Sequence, residues 1–295
     1  LKLNKFIWFI MWVFPKLKYY YKTLNKKEIF SRNIQFIFDN VNLNLPCPAG
    51  NFIKRIYFLL IKRDLVSLSK ELCDRTKEEP LLRSLTAKYL ASSYSPNDSS
   101  IIDIGSWIGD NSCPWAKATL KKNITLFAID PSKKNNSYVK KIAAINNLKN
   151  IRVVNAMASS KDGESYTPDY SIDHTSFTKS KSHEKTNKIV NSYTLDSIAK
   201  NNNIRNICMI HLDVEGLEKD VLLGSKKIII KDRPLIIFED HLKDEKIEGI
   251  SIIIKDYSYS LFTINEILTC ARPDTRNYVA IPSEKLMPIK TLLNK

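Results

Sequence analysis

From Ile101 onward the chain alternates short apolar runs with stretches of helical periodicity. The apolar runs are IIDI (101–104), ITLFAI (124–129), IRVV (151–154), ICMIHLDV (207–214) and PLIIFE (234–239). Helical periodicity fills residues 110–120, 134–146 and 216–227. Strands alternating with helices in this way predict a mostly parallel sheet covered on both faces. The unbroken apolar runs at 207 and 234 suit its centre. Two later strands, 259–264 and 278–281, flank CARPDTR and predict an antiparallel hairpin at the end. The expected fold class is therefore α/β, a doubly wound sheet finished by that hairpin.

Upstream the pattern changes. Residues 52–72 and 81–94 read as amphipathic helices, the second stopped by the turn cluster SYSPNDSS. The expectation is a helical, basic-aromatic N-terminal region over 1–80, leading into the α/β domain over 81–295. The polar stretch 159–187 has no strong period and suits a lid or a hairpin.

Composition narrows the class. Hydrophobic residues at 43% and charged residues at 26% exclude wholesale disorder. The opening apolar run, Phe6 to Phe14, is nine residues long, against the roughly 20 that a membrane span needs. A basic n-region and an apolar stretch are present, but no small-residue cleavage site follows, so a signal peptide is the weaker reading. Five cysteines without a Cys-x-x-Cys pair argue against a disulfide framework and a zinc ribbon, and they suit a reducing, cytoplasmic compartment.

The net charge is +15, and residues 1–63 hold 12 Lys/Arg against 2 Asp/Glu. In residues 1–25, aromatic rings and lysines together suit a membrane surface. The plainer reading, placed first, is a helix packed on the domain or on a second copy in a homodimer, and single-stranded nucleic acid is kept open behind both.

The chain has only 7 glycines, and two of them, Gly105 and Gly109, fall in one turn after the first strand. In a doubly wound sheet, ligands sit at the carboxyl ends of the strands. Gly105 lets the backbone bend and approach a ligand closely. Asp130 ends the next strand, where an acid accepts hydrogen bonds from ribose hydroxyls. A dinucleotide site wants a second glycine two positions after the first, but Trp107 stands there. Asp103 and Asp110 also disfavour a phosphate. A cofactor with a ribose, no phosphate and a cationic centre suits these residues, and S-adenosyl-L-methionine has that chemistry. Ser106, Trp107, Pro131, Asn155 and Ala156 complete the candidate cofactor set.

The segments IIDIGSWIGDNS, LFAIDPS, SYTLDSIA, IHLDVEGLEKDVLLGS and RPLIIFEDH follow one another in the order seen in FkbM-like S-adenosylmethionine-dependent methyltransferases. Over residues 100–282 the chain resembles that family, and LDVEG-x-E-x-x-V-L-x-G is the most specific piece. The resemblance implies a Rossmann-like sheet and O-methylation of a sugar or another small hydroxylated molecule. Trp107 departs from the small polar residue common at its position. His211 departs from the lysine common before the LDVEG aspartate.

On the acceptor side, the strand ending in LDVEG places Asp213 and Glu215 on the rim that carries Gly105. Glu239, Asp240 and His241 end the next strand. Methyl transfer to oxygen needs an in-line approach and a group to take the hydroxyl proton. Asp213, Glu215, Glu239 and His241 are the candidate catalytic residues, and His241 titrates in the useful range. Each has a plainer role open to it. Glu215 and Glu218 suit a helix N-terminus, Glu239 suits a salt bridge with Arg233 or a lysine, and His241 suits a solvated loop. His174 and Ser176 are weaker candidates, and His183 reads as a loop residue. An oxygen-rich metal site from the same carboxylates is conceivable chemistry, but no ligand spacing supports it and no metal is expected.

Three functions are weighed. The leading one is a methyltransferase acting on a small-molecule or sugar acceptor. The second is a nicotinamide-dependent oxidoreductase, against which Trp107 counts. The third is a non-catalytic binding protein of a membrane surface or nucleic acid. Nucleic-acid methylation is disfavoured because LDVEG stands where a Pro-Pro-aromatic signature would.

Overall fold

A computed structural model describes residues 31–36, 39–46, 63–76, 78–169, 176–179, 189–240, 245–267 and 273–293. The first elements are strands β1 (Ser31–Phe36) and β2 (Val41–Pro46), which pair antiparallel. This hairpin lies inside the region expected to be helical. Its signal is a period of two: Phe36, Leu43 and Leu45 are buried, while Asn33, Gln35 and Asn42 are exposed. The turn passes through Asp39 and Asn40, with Asn40 at φ 53°. Asparagine is a poor strand former, so the alternation is easily overlooked in the sequence. The helices that follow, α1 (Arg63–Arg75) and α2 (Pro80–Ala91), overlap the stretches 52–72 and 81–94 read as amphipathic, α1 running three residues past the first.

The α/β domain runs through β3 (Ser100–Ile104), α3 (Ser112–Ala118), β4 (Thr125–Ile129), α4 (Lys133–Ile145) and β5 (Ile151–Val154). Four strands follow: β6 (Met157–Ala158), β7 (Ser165–Asp169), β8 (Ser176–Lys179) and β9 (Val190–Tyr193). They make a small second sheet in the order β6-β9-β7-β8. Of the two forms expected for the polar stretch, the antiparallel β7–β8 pairing is the hairpin.

The chain then returns through α5 (Leu195–Asn201), β10 (Ile207–Leu212), α6 (Glu218–Leu223), α7 (Lys226–Asp232) and β11 (Leu235–Glu239). The stretch 216–227, expected as one helix, is thus divided between α6 and the start of α7. The last elements are α8 (Glu245–Asp256), β12 (Tyr259–Ile267), β13 (Pro273–Pro282) and α9 (Leu286–Leu293).

The main sheet has the order β12-β13-β11-β10-β3-β4-β5. Strands β3, β4, β5, β10 and β11 are parallel, and β13 runs antiparallel to both β11 and β12. From β3 the chain builds outward through β4 to β5, then crosses back to β10 on the other side. The order therefore reverses between β3 and β10, where open α/β sheets bind ligands. Every residue of β3, β10 and β11 is buried, as their apolar sequences require.

One face packs Ile101, Met209 and Leu235 against Trp115, Tyr138 and the hairpin's Phe36, Leu43 and Leu45. The other packs Ile102, Ile210 and Ile236 against Leu195, Val221 and Ile254. This is the doubly wound, Rossmann-like fold that the alternating pattern predicts.

Candidate active site at the switch point

At the end of β3 the backbone turns at Gly105, with φ +78°. A Cβ on Gly105 would overlap the carbonyl oxygen of Asp213, so only glycine lets the two strand ends approach this closely. Hydrogen bonds hold the approach. Gly105 and Ser106 donate their backbone N–H groups to the Ile129 carbonyl at 2.9 and 3.2 Å, and Asp213 donates its own to Ile104 at 2.9 Å. The ends of β3, β4 and β10 are thereby joined at one point. Ser106 Oγ is buried there and has no hydrogen-bond partner among the described residues.

The next residue, Trp107, sits at φ 39°, a left-handed conformation rare for a bulky side chain. Its N–H donates to Asp130 Oδ2 at 3.0 Å. The Arg75 guanidinium lies over its ring, 5.0 Å from the centroid. Gly109 closes the turn at φ +83°, where a Cβ would stand 2.9 Å from Cys113 Sγ and 3.1 Å from Val139 Cγ2.

Asp130, at the end of β4, accepts from Ser132 N at 2.7 Å, from Trp107 N, and from Asn135 Nδ2 at 3.3 Å. Burial pushes its carboxyl up to about 6 even though these donors pull the other way. Asn155 Nδ2 donates to the carbonyls of Asp130 and Pro131 at 3.0 and 2.8 Å. Asp130, Pro131 and Asn155 therefore form one connected group across the ends of β4 and β5. Ala156 beside them packs on the apolar face shared with Leu195.

Asp103 is placed differently from the expectation of a cofactor contact. It is 1% exposed, with one oxygen accepting from Ser112 Oγ and the other 2.8 Å from His211 Nδ1. The register sets His211 directly opposite Asp103 across β10 and β3. Trp115 meets the imidazole edge-on at 5.2 Å and donates Nε1 to Thr86 Oγ1 at 3.1 Å. Burial opposes charge on His211, but the hydrogen bond and charge of Asp103, helped by Asp213, outweigh it and raise the imidazole to about 9. Asp103 thus holds strands together beneath the rim.

On the acceptor side, Asp213 and Glu215 lie half-buried on the rim. Glu215 and Gly216 are both left-handed, at φ 52° and 100°. Glu218, 1% exposed, shapes this loop by accepting from Val214 N at 3.3 Å and Gly216 N at 3.1 Å. Burial drives its carboxyl up to about 7. Glu239 pairs with Arg276 Nη1 at 3.1 Å. The Arg233 expected as its partner instead holds Glu284 at 2.8 Å and the Tyr257 carbonyl at 2.6 Å. Asp240 donates its N–H to the Arg276 carbonyl at 2.8 Å. His174, His183 and His241 lie outside the described residues, and Ser176 opens β8. No group of three or more His, Cys, Asp or Glu among the described residues is arranged to hold a metal ion.

One functional feature escaped the sequence reading. Arg83 is fully buried on α2 and donates to Asp39 Oδ2 at 3.1 Å, the Asp110 carbonyl at 3.2 Å and the Glu78 carbonyl at 3.0 Å. It ties the β1–β2 hairpin to the glycine turn. Burial lifts Asp110 to about 6 against the pull of Arg83 and Arg75. The available signal was an arginine in helical register with Leu82, Thr86, Tyr89 and Leu90, the buried face of α2.

The arrangement offers a close backbone cradle, an unpartnered hydroxyl and a rim bearing Asp130, Asp213 and Glu215. Such a rim suits a ribosyl ligand with a positive centre and disfavours a phosphate. The methyltransferase FkbM domain profile matches residues 103–267. No curated protein matches the sequence.

Among solved structures, the chain resembles a methyltransferase FkbM from Methylobacillus flagellatus at 14% identity and a TM-score of 0.45, covering 79% of this chain and 63% of that one. It therefore spans less than two thirds of that relative. Precorrin-6y C5,15-methyltransferase from Geobacter metallireducens is 9% identical, TM-score 0.41, over 70% of this chain and 87% of that one. Fibrillarin from Aeropyrum pernix, in complex with S-adenosyl-L-methionine, is 8% identical, TM-score 0.43, over 68% and 74% respectively.

Proposed function

Because the chain belongs to the methyltransferase FkbM domain family, we propose that it transfers a methyl group from S-adenosyl-L-methionine to a hydroxyl of a small molecule or sugar. The observation that carries this reading is the contact of Gly105 with the Asp213 carbonyl. It brings the glycine turn and the LDVEG loop to one rim, which supports a shared site for cofactor and acceptor.

Gly105 and Ser106 would hold the cofactor's backbone side, with Ser106 Oγ supplying a hydroxyl that has no other partner among the described residues. Asp130, fixed by Ser132 and Asn135, would receive the ribose hydroxyls. Asp213 and Glu215 place negative charge where a sulfonium would lie. When bound, the cofactor supplies an electrophilic methyl group open to in-line attack.

The residues of this chain then orient the acceptor and take its proton. Glu239 is held by Arg276, which suits orientation. Asp213, Glu215 and His241 are the proposed proton acceptors, His241 foremost because histidine is the side chain whose ordinary range lies near neutrality. The methyltransferase unit is proposed to span residues 81–295.

The test is transfer of label from methyl-labelled S-adenosylmethionine to hydroxylated acceptors, sugars first. Label on an acceptor oxygen that is lost in Glu215→Gln or His241→Gln supports the reading. Label on nitrogen, or none from a folded, cofactor-binding protein, contradicts the O-methyl assignment.

A further inference from the structure

The carboxyl end of the sheet carries a row of polar side chains set side by side by the strand register. Glu239 on β11 lies opposite Asn277 on β13. One step beyond the last β10–β11 pair, Leu212 with Phe238, stand Asp213 and Glu239. Residues two apart on a strand share a face, so Asn277 and Glu239 belong with Val279 and Ile237, on the face that packs against Trp115 and the N-terminal hairpin. The row Asn277, Glu239, Asp213 therefore crosses the sheet toward Gly105.

Glu79 meets the outer end of this row. It precedes α2 at φ 52°, and its side chain makes no cap bond to that helix. Instead it reaches across 198 residues of sequence to accept from Asn277 Nδ2 at 2.9 Å. Among the described residues that amide is the one hydrogen-bond donor to the Glu79 carboxylate, and no cation there pairs with it. The neighbouring arginines are engaged elsewhere: Arg75 with Glu78 at 2.8 Å, Arg83 with Asp39 at 3.1 Å and Arg276 with Glu239 at 3.1 Å. Burial opposes the His211 proton, while Asp103, Asp213 and then Glu79 favour it, so Glu79 acts on the same rim as Asp213.

The other half of the Asn277 amide is unused. Asn277 is 2% exposed, and its Oδ1 is buried with no hydrogen-bond partner among the described residues. A buried acceptor left without a donor is costly. The bond from Nδ2 to Glu79 fixes which way the amide points and sets Oδ1 beside the carboxylate. Both open groups are acceptors, and one of them is charged. The group that completes them donates more than once and carries positive charge. A hydroxyl donates one hydrogen bond, whereas an ammonium donates three.

We propose that Glu79 and Asn277 form a subsite for a protonated amine on the acceptor, which makes the acceptor an aminated hydroxyl compound such as an amino sugar. The inference rests on the methyl-transfer reading and adds the substrate class to it. Glu79 lies ahead of the first strand of the main sheet, so the N-terminal region supplies part of the specificity.

The experiment is calorimetric titration of glucosamine into the full chain saturated with S-adenosylhomocysteine, with glucose and N-acetylglucosamine as neutral controls. Glu79→Gln keeps an oxygen for Asn277 Nδ2 and removes the charge. Glu78→Gln, at an exposed neighbour, is the control variant. Thermal unfolding checks that both are folded.

The subsite predicts that glucosamine binds about tenfold or more tighter than either neutral sugar. Glu79→Gln should bring it down to their level and leave affinity for S-adenosylhomocysteine unchanged. Equal binding of glucose, equal loss in Glu78→Gln, or no glucosamine binding overturns the subsite alone. A fall in S-adenosylhomocysteine affinity in Glu79→Gln overturns it too, by moving the carboxylate to the cofactor. An unaltered chain that binds no S-adenosylhomocysteine sinks the methyl-transfer reading, and the subsite with it.

Discussion

His211 Nδ1 lies 2.8 Å from Asp103 Oδ1 across the two strands where the sheet reverses direction. Both side chains are nearly sealed from solvent, at 3% and 1% exposure. The imidazole is raised from 6.5 to about 9, so the fold favours its protonated form. Its contribution to stability is complete below pH 6.5 and is lost as pH rises through 9. Thermal unfolding should therefore show stability falling over that window, by something on the order of 3 kcal/mol. His211→Gln cannot titrate and should flatten the fall. An equal fall in the variant would remove His211 as its source.

Gly105→Ala tests the close approach at the rim. Its Cβ would overlap the Asp213 carbonyl, and the backbone is left-handed as well. The strand ends must separate or the residue must strain, at a cost of about 1–3 kcal/mol. The expected result is a lower melting temperature with loss of S-adenosylhomocysteine binding, read by calorimetry. Unchanged affinity would mean that the turn does not form the cofactor cradle.

Arg83 faces Asp39 at 3.1 Å and Asp110 at 3.8 Å, with its side chain fully buried. Arg83→Met removes the one buried cation that the two carboxylates share, and removing one partner of a buried pair typically costs about 3–5 kcal/mol. Urea unfolding should show that loss. A variant that also carries Asp39→Asn and Asp110→Asn should regain much of it. A triple variant no more stable than Arg83→Met would place the cost in packing.

The parts of the fold legible in the sequence are those that depend on local pattern. The apolar runs beginning at 101, 124, 151, 207 and 234 are all strands, and those at 101, 207 and 234 are buried throughout, which leaves a continuous apolar signal. The terminal hairpin was legible from two short apolar runs on either side of CARPDTR. The grouping of Gly105 with Asp213 followed from the rule that parallel strands present their carboxyl ends together.

Long-range register is what the sequence conceals. Asp103 looks like a rim residue until β10 sets His211 opposite it. Glu218 looks like an ordinary acid at a helix start until the left-handed turn at Glu215 and Gly216 aims two N–H groups at it. Arg83 gains its meaning only from Asp39, 44 residues away.

The turn from Gly105 to Gly109 and Asp130 are proposed to hold S-adenosylmethionine. The decisive measurement is calorimetric titration of S-adenosylhomocysteine into the full chain, with NADH as a control ligand and Asp130→Asn alongside. Saturable binding of S-adenosylhomocysteine alone is expected, weakened about tenfold or more by the substitution, roughly 1.4 kcal/mol. No binding by the folded protein, or binding of NADH in its place, would contradict it.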